Sequence, residues 1–463
     1  MMVNSRRAFM RRAGVASLGF VGLHAFACHP VRNPKEQAAL LDYGYGPLVE
    51  DPDGILNLPR GFSYKIISRS GEAMSDGFLV PGKADGMATF AGKSGRTVLV
   101  RNHEIGPESY DEGPFGKNNE RLHKLSAGQV YDFGFGKTPS LGGTTHVIYN
   151  EETQRVEEQY LSLAGTIRNC AGGPTPWNSW LTCEEDVTRR TALTEKEHGY
   201  VFEVPASGRM ALPRPIEAMG RFNHEAVAVD PRTNIVYLTE DRGDSLIYRF
   251  LPEAAPNLHK GGKLQVLCFA KEKSFDTRNW ENNDLPVGLE VPVHWMDIDG
   301  IDSPDDDLRL RGFEQGAACF ARGEGMWYGN DEIYFACTNG GSIKSGQIFR
   351  YVPSMYEGTD REKAFPAKLS LFVEPNNDDI LENCDNLTVA PWGDVITCED
   401  KSHPHIVGIT PRGKLYTFGE NVGYKPEFAG SVFSPSGKTL FVNIQGPGLT
   451  FAITGPWQNV DFA

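Results

Sequence analysis

One short pattern recurs six times along this chain, and a recurring unit restricts the possible folds more than any single motif does. Its copies are DGMATFAGKSGRTVLVRNHE (85–104), RNCAGGPTPWNSWLTCEE (168–185), NHEAVAVDPRTNIVYLTED (223–241), RGEGMWYGNDEIYFACTN (322–339), NCDNLTVAPWGDVITCED (383–400) and FAGSVFSPSGKTLFVNIQ (428–445). Each begins on small or polar residues and runs through a short strand. A turn of Gly, Pro, Asn or Asp follows, then an apolar strand with a polar end. In the third copy Glu225 opens the first strand, Asp230-Pro231-Arg232-Thr233-Asn234 makes the turn, and Glu240-Asp241 close the second strand. Further strand-like runs follow several copies, among them SLIYRFLP, GQIFRYVP and HIVGITPRGKLYTF. Six units of a few strands each predict an all-β chain folded as a six-bladed β-propeller; a β-sandwich with coincidental repeats is the alternative. Excursions at 105–140, 186–220 and 251–320 predict loop insertions on one face. Few short helices are expected, one at 34–43 and another within 187–198. GFSYKIISR, near 61–69, is placed to supply an outer strand that closes the last blade with the C-terminal TFAITGPW.

In a propeller the first strand of each blade lines the channel and the second returns antiparallel beside it. The start of one and the end of the other therefore share a face. Start positions are Cys170, Glu225, Glu324, Asp385 and Gly430; end positions are Glu104, Glu184-Glu185, Glu240-Asp241, Asn339, Glu399-Asp400 and Gln445. So many carboxylates cannot share a small volume while ionised unless cations neutralise them. Carboxylates with Asn side chains suit calcium or magnesium, whereas a Cys170 thiolate suits iron or zinc. Two residues before the starts, and facing the same side of the strand, stand Arg168, Asn223, Arg322 and Asn383. Paired arginines beside such a cluster suit a tetrahedral oxyanion held bidentately. His103 and His224 each precede a carboxylate by one residue, so both are expected to turn into the blade interior. Ser162 and Thr175 read as strand and turn residues rather than nucleophiles. Trp177, Trp180, Trp327, Trp392 and Trp457 read as packing between blades.

The chain has 463 residues and a net charge of −14, with no basic patch, which argues against a nucleic-acid duplex as partner. Its first 27 residues read as a twin-arginine export signal: NSRRAFMRR precedes the apolar AGVASLGFVGLHAFA, with Ala25-Phe26-Ala27 as cleavage site. Cys28 directly after it leaves a lipid anchor as an alternative, although Ala25 and Phe26 make a poor lipobox. No other stretch could span a bilayer. The division expected is 1–27 signal, 28–60 linker and 61–463 a single catalytic propeller, exported to the periplasm or beyond and monomeric. Eight cysteines lie scattered with no CxxC, which argues against a zinc finger.

RNCAGGPTPWNSWLTCEE, GRFNHEAVAVDP…YLTED, FARGEGMWYG, NCDNLTVAPWGDVITCED and FAGSVFSPSGKTLFVNIQGPGLTFAITGPW together resemble the PhoX family of secreted bacterial alkaline phosphatases, over about residues 85–457. The resemblance implies a six-bladed propeller with iron and calcium at one end of its channel. By motif it implies Cys170 as an iron thiolate ligand and Glu185, Glu225 and Glu324 as further iron ligands, some bridging to calcium. It implies Asp385, with Glu399 or Asp400, as calcium ligands, and Glu104 and Asp241 as members of the same shell. Arg322, in RGEG, resembles the family's phosphate-binding arginine, and Arg168 is a second catalytic candidate. The implied substrate is a small-molecule phosphate monoester. The chain is shorter than typical members and lacks some of their insertions. Two rival readings are a calcium-dependent lactonase-like hydrolase, which needs no thiolate, and a non-catalytic calcium-binding propeller scaffold.

Overall fold

The six repeats fold as antiparallel hairpins. Their first strands are Ala84–Ala91, Asn169–Pro174, His224–Val229, Gly323–Gly329, Cys384–Val389 and Phe428–Phe433. Their second strands are Thr97–His103, Ser179–Glu184, Val236–Glu240, Glu332–Cys337, Val395–Glu399 and Thr439–Ile444. This computed structural model describes residues 44–460 except 209, 426 and 459. The turns use the chemistry their sequences offer. Asn330 and Asp331, both at positive φ, link Gly329 to its partner Glu332 in two residues, the geometry whose twist matches that of the strands.

Each first strand packs against the next and the last packs against the first, so the inner strands close a ring. Further strands add outward from the ring, and the result is an all-β, propeller-like array. The third and fourth units share one nine-stranded sheet, because Val291–Asp297 pairs with Gly262–Phe269 on one side and Ala367–Val373 on the other. A buried cluster ties these two units: Arg249 donates to Glu357 and Glu362, and the Tyr237 and Tyr351 hydroxyls donate to Glu357. Ser63–Arg69 pairs with Leu449–Thr454, the strand that alternation in 61–69 predicts.

Two sequence expectations meet a different outcome, and three fall outside the described residues. Within the segment read as a linker, Leu48–Val49 and Leu56–Pro59 are strands, and the latter pairs with Leu415–Asn421. Leu56 and Leu58 alternate and bury against the core that holds Phe418, which supplies the driving force. No helix forms within 187–198. Its few apolar residues make no stripe, Leu193 is exposed, and the Thr191 hydroxyl accepts from the amides of Leu193 and Thr194 in a local turn. The export signal, Cys28 and the expected helix at 34–43 lie outside the described residues. Among the described residues one α-helix forms, Leu308–Gln315, and no helix is long and apolar enough to cross a membrane.

The tryptophans pack between sheets. Trp180 is fully buried, Trp327 sits where three apolar clusters meet, and Trp392 stacks on Trp457 at 5.8 Å. Close approach of the inner strands depends on glycine. A Cβ at Gly173 would lie 2.0 Å from the Val227 carbonyl oxygen of the next inner strand. Gly173→Ala is therefore expected to destabilise the protein by about 1–3 kcal/mol in denaturant unfolding. Gly128→Ala, where a Cβ meets nothing within 4 Å, should change stability by less than about 0.5 kcal/mol. Equal stabilities for the two variants would contradict the packing described.

Candidate metal centre

Every inner strand carries a β-bulge at its start. The pairing register skips between Ala84 and Met87, Asn169 and Gly172, His224 and Val227, Gly323 and Met326, Cys384 and Leu387, and Ala429 and Val432. The first residue inside each skip is Asp85, Cys170, Glu225, Glu324, Asp385 and Gly430. A bulge re-aims one side chain and sharpens the local twist. Gly430 contributes no side chain because it cannot: its φ is 62°, and a Cβ there would fall 2.3 Å from the Asp85 carbonyl oxygen.

The second strands end at the same mouth. The amides of Glu104, Glu185, Asp241, Thr338, Asp400 and Gln445 donate to the carbonyls of Lys83, Arg168, Asn223, Arg322, Asn383 and Glu427, one bond per unit. The fourth unit thus closes on Thr338 rather than Asn339. Lys83, Arg168, Arg322 and Asn383 lie in the left-handed region, with φ between 46° and 55°, where a non-glycine residue is strained. The kink turns the incoming loop into the bulge.

Three groups of ligand-type side chains result: Glu104, Cys170 and Glu185; Asp85, Glu104 and Glu427; and Glu225, Glu324 and Asp385, with ligand atoms in each group within 4.8 Å of one another. Two unit charges at that separation repel by roughly 3 kcal/mol at an effective dielectric of ~20. The acids respond accordingly. Burial, then Glu324, Glu185 and Asp385, hold Glu225 well above the usual carboxylate range. Burial, then Glu104 and Asp385, do the same to Asp85. Burial also raises Glu185 to about 8 against the pull of Arg168, Asp385 to about 7, and Glu427 to about 10 with Asp385 and Asp400 beside it. The Cys170 thiol is pushed up by burial and by Glu185, to which it donates at 2.9 Å. Seven carboxylates and a thiol crowded together in this way are a donor set matched to cations, which would neutralise them.

Two arginines sit among the acids. Arg168 Nη2 lies 2.6 Å from Glu104 Oε1 and also pairs with Glu185. Arg322 grips Asp241 with Nε at 2.8 Å and Nη2 at 2.7 Å, and Nη2 reaches Glu324 at 2.9 Å. Asp241 therefore joins none of the three groups; both its oxygens orient Arg322. Asn223 donates to Glu185, and Gln445 donates to Asp85 and Glu104.

Of the residues singled out in the sequence, Cys170, Glu185, Glu104, Glu225, Glu324 and Asp385 are brought together, and Asp400 stands beside Asp385 and Glu427. Glu399 is not at the mouth. Alternation turns it into its own blade, where it accepts from the Glu382 and His405 amides, His405 Nδ1 and Lys401. Glu184 and Glu240 are turned inward in the same way. His103 and His224 are buried against the Gly82 and Gly220 carbonyls. The Ser162 hydroxyl pairs with Thr144 and that of Thr175 with Ser179, in structural roles. Sequence reading overlooked Asp85 and Glu427. Asp85 opens the first repeat at the offset that marks Cys170 and Glu225; Glu427 stands just before the sixth.

The family described as alkaline phosphatase PhoX matches residues 43–448. No curated protein matches the sequence. Among solved structures, Pseudomonas fluorescens PhoX in complex with vanadate, a transition state analogue, aligns at a TM-score of 0.62 and 19% identity, over 90% of this chain and 98% of that one; this likeness shows the fold. A gluconolactonase from Xanthomonas campestris aligns at 0.40 and 12% identity, over 89% and 98% of the two chains.

Beneath the mouth, buried His198 bridges Glu184 Oε1 at 2.6 Å and Asp132 Oδ2 at 3.3 Å. Burial opposes its charge, but Glu184 and Asp132 outweigh burial and raise its pKa from 6.5 to about 9. A pKa raised on folding stabilises fully below the unfolded value and fades as pH climbs through the folded one. The difference corresponds to about 3 kcal/mol. The stability lost in His198→Gln should therefore be largest near pH 6 and shrink between pH 6.5 and 9, as read by denaturant titration. A pH-independent loss would show that the bridging imidazole is neutral.

Proposed function

The chain belongs to the alkaline phosphatase PhoX family, and we propose that the acid-lined mouth is its metal centre, with iron beside Cys170 and calcium among the remaining carboxylates. The activity is hydrolysis of phosphate monoesters. The observation that carries the site assignment is the grouping of seven carboxylates and one thiol around a single mouth that also presents two arginines. Cys170, with Glu185 and Glu104 beside it, is the place for iron, because a thiolate suits that ion and not calcium. Glu225 and Glu324, grouped with Asp385, would supply further ligands. Asp385, Asp85, Glu427 and Asp400 offer oxygen only and suit calcium. When bound, these ions would neutralise the acids and polarise the phosphoryl group and the attacking water.

The chain's own groups bind and orient the ester. Asp241 holds the Nε and Nη2 edge of Arg322, while Nη1 has no protein partner among the described residues. A guanidinium fixed on one edge presents the other to equatorial phosphoryl oxygens without reorganising. Arg168, anchored through Nη2 on Glu104 and Glu185, serves the same end from a different unit. Ser162 and Thr175 are engaged in structural hydrogen bonds, so water rather than either of these hydroxyls is the proposed nucleophile. We read the twin-arginine motif as sending this enzyme out of the cytoplasm, and a propeller that closes on itself as working as a monomer on small phosphate esters.

Protein exported by its own signal should hydrolyse p-nitrophenyl phosphate at alkaline pH and lose that activity on EDTA treatment. Arg322→Ala should lower kcat by about 100- to 1000-fold, and Asp241→Asn by about tenfold through misorientation of Arg322. Cys170→Ser should lower the iron content found by elemental analysis. Full iron and full activity in Cys170→Ser, or EDTA-insensitive turnover, would overturn the assignment.

A further inference from the structure

Besides the acids that face the mouth, the structure holds a second set of polar side chains at one repeated place: the last residue of the second strand. These are His103, Glu184, Glu240 and Glu399, each fully buried. The fourth and sixth units place Cys337 and Ile444 there. The distribution follows a rule within the molecule. A buried polar anchor stands where the next residue is a mouth acid, as in His103-Glu104, Glu184-Glu185, Glu240-Asp241 and Glu399-Asp400. It is absent where the next residue is Thr338 or Gln445.

Glu184 and Glu399 hold corresponding backbone amides. Glu184 Oε1 accepts from the Ile167 amide at 3.0 Å and from His198; Oε2 accepts from the Gly199 and Tyr200 amides at 2.9 and 3.3 Å. Glu399 Oε1 accepts from the Glu382 amide at 2.7 Å; Oε2 accepts from the His405 amide and Nδ1, each at 2.9 Å. Ile167 and Glu382 stand immediately before the left-handed residues Arg168 and Asn383, which lead into the bulges at Cys170 and Asp385. One oxygen thus holds the entry to the bulge and the other holds the start of the third strand, while the carboxylate's own strand carries the next mouth acid. His103 ties Gly82, the residue before left-handed Lys83, in the same way through Nδ1. Glu240 is an incomplete version, with Oε2 accepting from Leu246 and Tyr248 and Oε1 without a hydrogen bond. Its mouth acid, Asp241, orients Arg322 instead of joining a ligand group.

We infer that Glu184 and Glu399 are positioning residues of the metal centre: each sets the spacing between a bulge side chain and a strand-end acid, Cys170 with Glu185 and Asp385 with Asp400. The inference rests on the mouth being a metal site. Such supports, when removed, typically weaken metal binding by 10- to 100-fold. A glutamine offers one acceptor where the carboxylate offers two, so one backbone amide would face an NH₂ and the strand end must shift.

The test uses wild-type protein and the variants Glu184→Gln, Glu399→Gln and Glu357→Gln, all exported by the native signal. Glu357 is an equally buried carboxylate, bonded to Arg249, Tyr237 and Tyr351 between outer strands. After EDTA stripping, calcium is titrated by calorimetry, with circular dichroism to verify folding and elemental analysis of the unstripped proteins. Calcium affinity is expected to fall 10- to 100-fold in Glu399→Gln and iron content to fall in Glu184→Gln, with Glu357→Gln matching wild type in both. Wild-type binding in both mouth variants, or the same loss in Glu357→Gln, would overturn the inference. If either variant fails to fold, Lys401→Met or His198→Gln, which each strip one partner from the same carboxylates, takes its place, with a several-fold loss expected. A wild type that binds no calcium would instead defeat the metal-centre reading itself, and this inference with it.

Discussion

A bulge leaves carbonyls that its own ladder cannot pair, and satisfying them binds units of the ring to their neighbours. Asn102 Nδ2 donates to the carbonyls of Cys170 and Ala171 at 3.1 and 2.7 Å, while its Oδ1 accepts from Trp180 and Thr182. Thr239 donates to the Glu324 carbonyl, Thr338 to that of Cys384, and Asn443 to that of Asp85. The last of these joins the two ends of the chain's repeat array. A buried carbonyl left unpaired costs about 1–3 kcal/mol, so these four bulges lean on the unit before them. Ring closure and the aim of the mouth side chains are one problem with one solution.

That solution gathers negative charge where burial makes charge expensive. Arg168 and Arg322 offset part of it, each from a strained left-handed position. Arg322 lays its Nε and Nη2 on acids, and Arg168 its Nη2. A protein of net charge −14 that takes a phosphate ester needs a local reversal of sign, and cations among these acids would supply it. The Asp241–Arg322 pair shows the division of labour: one acid is spent on aiming a cation of the chain itself, while its neighbours remain as ligands.

Much of this was legible in the repeats. Cys170, Glu225, Glu324 and Asp385 share one offset, and strand-end acids share another, so their convergence followed from strand direction alone. Asp85 obeys the first rule and was legible too; its repeat was read for its end, Glu104. Glu427 was not legible, because the sixth hairpin adds a pair, with Phe428 opposite Ile444 and Ala429 opposite Asn443, and the offset moves by one. Glu399 and Asp400 looked interchangeable. Which of two adjacent acids reaches the mouth depends on where the ladder stops, and Glu399 is its last rung.

The sequence by itself determined the hairpins, their turns and the end of the molecule where acids collect, because alternation and turn chemistry act over a few residues. It also marked Cys170 as the one soft donor among hard ones. Only the tertiary structure decided what each acid does. Asp241 meets Arg322 across 81 positions, Glu104 meets Glu427 from the far end of the chain, and Glu184 and Glu399 turn inward to loops that other strands deliver. A carboxylate becomes a ligand, a clamp or an anchor according to which donors surround it, and those donors arrive only when the ring closes.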